Sequence, residues 1–171
     1  MIILGIGSNL SSKLGNRFKN IELALTYLEK NKIKLIKKSS FYETPSYPDK
    51  KYPKFINIVA AVKADLKPLD LMLILFSIEK KLGRMRTKKN EPRTCDIDIV
   101  DFNKEIINFT YKNINFSSPH KSLSNRSFVL YPLREILPMW THPSTNETVS
   151  ALISKLSNED KKSILKIKNL V

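Results

Sequence analysis

The chain has 171 residues, 42% of them hydrophobic and 27% charged, with only 4 glycines. This length and composition predict one folded domain with its own apolar core, and they exclude a disordered or fibrous protein. The 30 lysines and arginines outnumber the 16 acidic residues, so the net charge is +14, which favours anionic ligands such as nucleotides, nucleic acid or acidic membrane surfaces.

The first part of the chain alternates between strand and helix patterns. The apolar residues 2–6 precede a Gly-Ser-Asn sequence and predict a buried strand followed by a turn. Apolar residues recur every three or four positions over residues 13–30 and predict a helix. Alternation over residues 33–42 predicts a second strand, and three prolines within residues 44–54 predict a loop that closes over a ligand.

Three further predicted elements complete the order of strands and helices in this part of the chain. Residues 55–64 and 94–102 predict strands, and residues 69–82 predict a helix with Pro68 in its first turn and Gly83 at its carboxyl end. The resulting order β-α-β-β-α-β is that of a split βαβ sandwich. This is an α+β fold in which helices pack on one face of a mainly antiparallel sheet.

The remainder of the chain is less regular. Residues 119–125 predict a loop, residues 126–136 a helix that Pro132 shortens or kinks, and residues 146–156 an amphipathic helix capped by Thr145. No repeat, low-complexity tract or linker divides the sequence, so we expect residues 1–171 to form a single domain.

The single cysteine, Cys95, lies in an apolar strand and cannot form an internal disulfide, so we expect a buried thiol in a reducing compartment. Residues 1–10 are apolar but short and lack a basic leader, which predicts a strand instead of a signal peptide. No apolar stretch approaches the about 18 residues that a membrane span needs. We therefore expect a cytoplasmic protein with no membrane contact.

Two carboxylates, Asp96 and Asp98, are one residue apart in the strand predicted over residues 94–102. Side chains of a strand alternate, so both point to one face, separated by two rises of about 3.3 Å. Without cations the two carboxylates would repel each other, and a hard divalent cation resolves this repulsion. Two such ions can hold a phosphate between acids of this kind.

Basic residues just before this strand strengthen the metal interpretation. A bare pair of aspartates is more often a solvated polar stripe that nearby lysines neutralise. Here Arg84, Arg86 and Arg93 precede the acids, with Lys88 and Lys89 between them, and guanidinium groups match phosphate oxygens bidentately. Acids that hold Mg²⁺ beside bases that hold phosphate are the two halves of a nucleoside triphosphate site.

Six separated motifs follow one another along the chain: GIGSNL at 5–10, ETP at 43–45, FIN at 55–57, IEKKLGRMR at 78–86, PRTCDIDIV at 92–100 and PHKSLSNRSFVLYPL at 119–133. In this order and spacing they resemble the 6-hydroxymethyl-7,8-dihydropterin pyrophosphokinase family. The resemblance runs from about residue 2 to residue 143, and residues 157–171 match no motif of the family.

The resemblance implies an enzyme that uses ATP and two Mg²⁺ ions to transfer diphosphate to the hydroxymethyl group of a reduced pterin in folate synthesis, releasing AMP. It implies a ferredoxin-like α+β sandwich. It makes Asp96 and Asp98 the metal ligands, with Arg84 and Arg93 as further catalytic residues. The residues that it places at ATP are Glu79, Arg84, Arg86, Arg93, His120 and Arg126, and those at the pterin are Thr44, Pro45, Phe55, Asn57 and Phe128.

Several of these residues also have simple structural interpretations. Glu79 lies on the apolar face of its predicted helix and could pair with a lysine, and Phe55 and Phe128 could be core residues. Asn57 lies in an apolar strand, where an unpaired amide is costly. A flat pterin edged with donors and acceptors would use such an amide together with aromatic rings. We expect the second histidine, His142, to be structural.

The chain departs from the family pattern at two places. Glu91 stands where the family has a small residue before the Pro-Arg pair, and residues 88–90 (KKN) stand where some members have a tryptophan that closes over the pterin. We expect a tyrosine of the proline-rich loop, Tyr47 or Tyr52, to supply that contact instead.

Two other functions compete with this interpretation. An RNA-binding module on the same sandwich would use the positive charge, but paired acids on its sheet would repel phosphates. A nucleotidyltransferase of another fold also combines Gly-Ser with paired acids, but there the two lie close in sequence, whereas Ser8 and Asp96 are far apart. We therefore expect a monomeric enzyme that acts on ATP and a reduced pterin and has no nucleic acid partner.

Overall fold

The computed structural model describes residues 1–47, 49–85 and 91–167. Arg86 and residues 88–90, on which predictions were made, lie outside these ranges. The strands are β1 (Ile2–Ser8), β2 (Lys34–Lys38), β3 (Tyr42–Thr44), β4 (Phe55–Lys63), β5 (Asp96–Phe102), β6 (Ile107–Tyr111), β7 (Ile114–Ser118) and β8 (Leu165–Lys166). The helices are α1 (Arg17–Lys30), α2 (Pro68–Lys81), α3 (Ser127–Ile136), α4 (Val149–Lys155) and α5 (Asn158–Ser163), with a 3₁₀ helix at Leu123–Asn125.

Six strands form one antiparallel sheet in the order β5-β1-β4-β3-β8. The sixth strand, β2, pairs with β4 along the same edge as β3, so β2 and β3 lie end to end beside β4. With α1 and α2 placed between these strands, the chain follows the predicted βαββαβ order. The predicted ferredoxin-like α+β fold is therefore confirmed.

Apolar side chains of β1 enter two separate cores. Ile2, Leu4 and Ile6 pack with α1 and α2 on one face of the sheet, and Ile3 packs with α3 and α4 on the other. The prediction that helices cover one face of the sheet is therefore wrong. Both faces of the central strands are apolar, and each face needs its own layer of helices to exclude water.

Local hydrogen bonds, more than apolar periodicity, decide where the helices begin. α1 starts after Asn16, whose side chain accepts a hydrogen bond from the backbone N–H of Lys19 and so caps the helix. α4 is capped by Thr148 and not by Thr145, because Asn146 lies between them with a φ of 57° and interrupts any helix there.

The helix α3 continues past Pro132 as far as Ile136, so of the two predicted effects of this proline, shortening or kinking the helix, shortening does not occur. At the end of the helix, the ammonium group of Lys37 donates to the backbone oxygen of Ile136 at 3.0 Å and satisfies one terminal carbonyl.

No described helix has the length and apolar character that crossing a bilayer would demand.

The strand predicted over residues 33–42 is two strands, β2 and β3. Between them, Ser39 donates its backbone N–H to the oxygen of Val59, and its hydroxyl accepts from the N–H of Val59 at 3.0 Å. The side chain thus takes the place of a backbone partner, and regular pairing stops at this point.

Residues 103–118, for which the sequence pattern predicted no element, contain the hairpin β6–β7. Lys112 and Asn113 form its turn with φ values of 44° and 64°, as a two-residue hairpin loop requires. The rings of Phe109 and Phe116 stack across the hairpin with centroids 4.6 Å apart. Alternation of apolar and polar residues over 107–111 was the available signal for a strand.

Candidate active site

Strand register places two acids and an amide on one face of the sheet. On β1, Gly7 pairs with Asp96 of β5 and with Asn57 of β4, while Gly5 pairs with Asp98. Directly paired residues share a face of an antiparallel sheet, so the glycines lie between the acids and the amide. A Cβ on Gly7 would lie 2.8 Å from Oδ1 of Asn57, so the missing side chain keeps this face open.

Asp96 is held by two arginines. Nη1 of Arg84 donates to its Oδ1, and Nε of Arg93 lies 2.9 Å from its Oδ2. Burial alone would raise the pKa of the Asp96 carboxyl, but the charges of Arg93, Arg84 and Arg126 outweigh burial and hold the pKa below its ordinary value. The carboxylate is therefore ionised at neutral pH.

Asp98 is paired with a third arginine. Nη1 of Arg126 lies 2.7 Å from Oδ2 of Asp98, and Arg126 directly precedes α3. This ion pair joins the start of α3 to β5. The structure thus brings both predicted acids together with three of the predicted phosphate-binding arginines, although those arginines come from separate segments of the chain.

Glu79, on α2, holds the guanidinium group of Arg84 in place. The residue is 1% exposed, and its Oε1 accepts from Nη1 of Arg84 at 2.6 Å and from the N–H of Ile97 at 2.8 Å. Gly83 has a φ of 86° and donates to the oxygen of Lys80, while the N–H of Arg84 donates to the oxygen of Glu79. This is the Schellman turn that ends many helices. The turn reverses the direction of the chain after α2, so that the side chain of Arg84 reaches the carboxylate of Glu79. It also confirms the predicted role of Gly83 at the carboxyl end of the helix.

Asn9 is a site residue that sequence analysis did not single out. It is 2% exposed, its Oδ1 accepts from the N–H of Arg93 at 2.6 Å, and its Nδ2 donates to Oγ of Ser46 at 3.1 Å and to the oxygen of Pro53 at 3.0 Å. One amide therefore joins the turn after β1, the proline-rich loop and the segment before β5. The GIGSNL motif contains Asn9 but does not reveal these partners.

Two residues predicted at the pterin lie side by side. Nδ2 of Asn57 donates to Oγ1 of Thr44 at 3.0 Å, and both residues are buried. Pro45 follows directly, where β3 ends and the proline-rich loop begins. This bond occupies one N–H of the Asn57 amide and fixes the orientation of the amide towards the glycine of β1.

The two phenylalanines predicted at the pterin are half-buried, and each has an arginine over its ring. The guanidinium carbon of Arg93 lies 5.2 Å from the ring centroid of Phe55, and that of Arg126 lies 5.5 Å from the centroid of Phe128. These are the arginines that pair with the acids, so the aromatic rings and the carboxylates belong to one connected site.

A cleft of about 200 Å³ opens beside the acids. One part of its lining is polar and includes Glu79, Arg84, Asp96, Asp98 and His120. Another part is apolar and includes Met72, Leu75, Phe76, Ile114 and Phe116. A lining of this kind suits a ligand that carries a flat apolar ring and an anionic tail.

His120 presents a neutral ring to this cleft. Its Nδ1 accepts from the backbone N–H of Ser122 at 3.1 Å, and the backbone N–H of His120 donates to the oxygen of Val100 at 2.9 Å. Burial lowers the pKa of the imidazole; the charge of Asp98 opposes this effect and that of Arg126 adds to it, leaving the pKa below its ordinary value. Because Nδ1 is an acceptor, the ring proton lies on Nε2, which is a hydrogen-bond donor.

The acids also fit a divalent cation shared with a substrate. Among the described residues, no three His, Cys, Asp or Glu side chains form a group that could hold a metal ion by themselves. Asp96 and Asp98 supply hard carboxylate oxygens, and Mg²⁺ is usually held by one or two carboxylates together with substrate phosphates and water. The donor set therefore fits Mg²⁺ that arrives with a polyphosphate.

Comparison with known proteins gives a consistent result. The profile of the 7,8-dihydro-6-hydroxymethylpterin-pyrophosphokinase (HPPK) family matches residues 3–138. The chain is 34% identical over 142 residues to 2-amino-4-hydroxy-6-hydroxymethyldihydropteridine pyrophosphokinase of Aquifex aeolicus, covering 83% of each chain. It is 30% identical over 156 residues to the protein of that name from Haemophilus influenzae, covering 91% of this chain and 92% of the relative.

Longer relatives match over part of their length. The chain is 36% identical over 157 residues to the folic acid synthesis protein fol1 of Pneumocystis carinii, which covers 92% of this chain and 21% of that protein. It therefore spans about a fifth of that relative's length.

Among solved structures, wild-type Plasmodium falciparum HPPK-DHPS has a TM-score of 0.77 at 18% identity. The match covers 99% of this chain and 48% of that one. This likeness supports the fold. The profile match over most of the sequence, together with relatives that are at least 30% identical and covered over most of their length, shows that the chain belongs to the 7,8-dihydro-6-hydroxymethylpterin-pyrophosphokinase family.

Proposed function

We propose that the chain transfers diphosphate from ATP to the hydroxymethyl group of 6-hydroxymethyl-7,8-dihydropterin, giving AMP and the pterin diphosphate in folate synthesis. The family and the names of its well-covered relatives support this reaction. The observation that carries it is the pair Asp96 and Asp98, which face an open, glycine-lined surface with three arginines against them.

The pterin would bind at the end of the sheet where β3 and β4 meet. Asn57 and Thr44 can read the polar edge of the ring, because their hydrogen bond fixes the amide in place. Phe55 and Phe128 are aromatic surfaces on which a flat ring can stack. Pro45 shapes the adjoining loop. Polar groups that fix orientation beside aromatic walls are the usual composition of a small-molecule site.

ATP would bind in the cleft beside β5, with its base against the apolar wall and its phosphates towards the arginines. Arg84, Arg93 and Arg126 supply planar guanidinium groups for phosphate oxygens, and His120 supplies a neutral N–H donor. Arg86, which lies outside the described residues, is proposed as a further phosphate contact. Glu79 holds Arg84 in place from α2.

Asp96 and Asp98 would hold two Mg²⁺ ions, which supply neutralisation of the phosphate charge. The three arginines, which pair with carboxylates in this structure, would then turn towards phosphate oxygens. The reaction forms a bond between the pterin oxygen and the β-phosphorus and breaks the bond from that phosphorus to the oxygen that AMP retains. Positioning and charge stabilisation by these residues would provide most of the rate enhancement.

Water must also be kept from the reacting phosphate. The proline-rich loop and the segment before β5 would close over the substrates, and Asn9 hydrogen-bonds both of them. Tyr47 is 83% exposed in this structure, so it is available to cover the pterin when the loop closes.

Incubation with MgATP and the reduced hydroxymethyl pterin, followed by chromatography for AMP, tests the proposal. Asp96→Asn should lower kcat at least about 100-fold, because the loss removes charge stabilisation of the transferring group. Asp65→Asn, at an exposed position away from the site, is the matched control and should keep normal turnover. Circular dichroism checks that both variants are folded. Normal AMP formation by folded Asp96→Asn would refute the role of the acids.

A further inference from the structure

Both histidines of the chain line one polar cleft of about 220 Å³. The cleft adjoins the catalytic cleft and shares Ser117, His120 and Lys121 with it. Its remaining polar side chains include Asn108, His142 and Ser144. The proposed reaction assigns no role to this second cleft or to His142.

His142 is held in one orientation and one protonation form. The residue is 8% exposed, and its Nδ1 accepts from the backbone N–H groups of Ser144 and Thr145 at 3.2 and 3.3 Å. Burial lowers the pKa of the ring, and the charges of Glu147 and Asp101 oppose this only in part. The neutral ring therefore carries its proton on Nε2. Within the described residues, no acceptor hydrogen-bonds that nitrogen.

His120 has the same arrangement. Its Nδ1 accepts from the N–H of Ser122 at 3.1 Å, so its Nε2 is also a donor. Two imidazole donors thus border the cleft together with the ammonium group of Lys121. A metal ion would need the lone pair of Nε2, which would force a proton onto Nδ1 against the backbone N–H groups. The protonation form therefore opposes a metal and favours a hydrogen-bond acceptor.

The charge of the cleft also favours an acceptor that is anionic. Its described lining includes one lysine and no carboxylate. The carboxylates nearest His142 already have partners, since Asp101 accepts from Trp140 and from the N–H of Lys104, and Glu147 pairs with Lys155. A net charge of +14 adds a favourable field for anions around the whole molecule.

We propose that this cleft is a second anion site, which binds an oxyanion of the size of phosphate through Nε2–H of His142, Nε2–H of His120 and the ammonium group of Lys121. The inference goes beyond the proposed reaction, because His142 lies outside the catalytic cleft, although the other two donors, His120 and Lys121, line both clefts. An anion here would compete with a nucleotide for the single Nε2 donor of His120.

Ring-nitrogen NMR on histidine-labelled protein tests the site directly, because the chain gives signals from two histidines alone. Titration with inorganic phosphate should shift the Nε2 signals of both rings. Titration with AMP, which would occupy the catalytic cleft, should shift His120 and leave His142 unchanged. The two titrations thus separate a free phosphate ion from the phosphate of a nucleotide in the neighbouring cleft.

A matched pair of variants isolates the donor of His142. In His142→Asn, the amide oxygen can replace Nδ1 as acceptor for the two backbone N–H groups, but no donor reaches the position of Nε2. In His142→Gln, the longer amide places a donor near that position. His142→Asn should weaken phosphate binding roughly ten-fold, as expected for a lost hydrogen bond to a charged group. His142→Gln should retain most of the affinity, and both should form AMP at the normal rate.

Phosphate that shifts His120 but never His142, or equal phosphate affinity in His142→Asn and the wild type, would overturn the proposal. If His142→Asn does not fold, Lys121→Gln can be titrated while the native His142 ring is observed, and a phosphate response as strong as that of the wild type would count against the site. The phosphate titrations report binding alone, so their outcome does not depend on whether the proposed reaction is correct.

Discussion

Each acid of the candidate active site pairs with an arginine from another segment of the chain, and Asp96 also pairs with the nearby Arg93. Asp96 pairs with Arg84 and Arg93, and Asp98 pairs with Arg126. Two like charges one residue apart would otherwise repel and favour protonation of one carboxyl. Arg93, Arg84 and Arg126 hold the pKa of the Asp96 carboxyl below its ordinary value, so this carboxylate does not need to lose a proton before it can bind a cation.

Tyr42 and Glu135 form a partly buried interaction, which holds α3 against β3. The hydroxyl of Tyr42 donates to Oε2 of Glu135 at 2.6 Å, and Oε1 accepts from the N–H and hydroxyl of Ser40. Burial, followed by the bond to Glu135, raises the pKa of Tyr42. Burial would also raise the pKa of Glu135, but the bonds from Tyr42 and Ser40 outweigh it and lower the pKa.

Tyr42→Phe should lower the free energy of unfolding by about 1 kcal/mol at neutral pH, since it removes one hydrogen bond to a charged group that water partly screens. The folded-state pKa of Glu135 is depressed, so its contribution to stability is present above the ordinary carboxyl pKa and is lost as the pH falls through the folded-state value. The difference between variant and wild type should therefore shrink in acid.

Urea unfolding at several pH values measures this difference. Tyr47→Phe, at a residue that is 83% exposed, is the control and should unfold like the wild type. A loss of stability in Tyr42→Phe that is the same in acid as at neutral pH would show that the cost comes from packing and not from the bond to Glu135.

For individual residues, the sequence predicts which side chains belong to the site better than it predicts their hydrogen-bond partners. Asp96 and Asp98 could be identified because two acids in an apolar strand are costly unless they bind something. Asn9 could not, since its bond to the N–H of Arg93 joins residues 84 positions apart. The bond from Tyr42 to Glu135 spans 93 positions. Such pairs depend on strand register and helix placement, which a local pattern does not contain.

The C-terminal elements α5 and β8 attach the end of the described chain to the part of the site where we propose that the pterin binds. β8 pairs with β3, the strand that carries Thr44, and the N–H of Ile167 donates to the oxygen of Phe41 at 2.9 Å. Glu159 of α5 pairs with Lys50 of the proline-rich loop. Residues 157–167, which carry no family motif, thus cover an edge of the sheet beside the proposed pterin pocket.

Ile167→Pro should weaken this edge, because proline has no N–H to donate to Phe41. We expect the free energy of unfolding to fall by about 1–3 kcal/mol, the cost of leaving a buried acceptor unpaired. We also expect KM for the pterin to rise several-fold more than KM for ATP, since β3 carries Thr44, a proposed pterin contact. Denaturant unfolding and initial rates with each substrate varied in turn measure both effects.

Ile167→Ala is the matched control for this change, because it also removes the apolar side chain but keeps the N–H. It should lose less stability than Ile167→Pro and keep the KM for the pterin nearer to normal. If the two variants behave alike, the backbone bond does not hold β3, and packing of the side chain accounts for the whole effect.

Elements with strong periodicity were predicted, and elements fixed by turns or caps were less accurate. α2 was found close to its predicted bounds because Pro68 and Gly83 mark its ends. α4 starts later than predicted, since two threonines could cap it and the positive φ of Asn146 selects the second. The short strand β8 has two residues, too few for any period to show.

For the whole molecule, the described residues of the site contribute little to the net positive charge. Three arginines of the site are balanced by three carboxylates, namely Arg84, Arg93 and Arg126 against Glu79, Asp96 and Asp98. The net charge of +14 therefore resides mainly in lysines elsewhere, such as the exposed Lys34, Lys37 and Lys38 of β2. These charges act on an anionic substrate from a distance and do not hold it in place.

This distribution predicts a difference between the two proposed substrates as salt is added. Raising the ionic strength from about 0.01 M to about 0.15 M shortens the screening length from about 30 Å to about 8 Å. The value of kcat/KM for ATP should then fall about ten-fold, because long-range attraction of the anion is screened. The value for the uncharged pterin, measured at saturating ATP and constant Mg²⁺, should change little, since its contacts are short-range. An equal fall for both substrates would instead indicate that salt disturbs the fold or the ion pairs around Asp96, and no fall for either would show that the distant lysines do not guide ATP to the site.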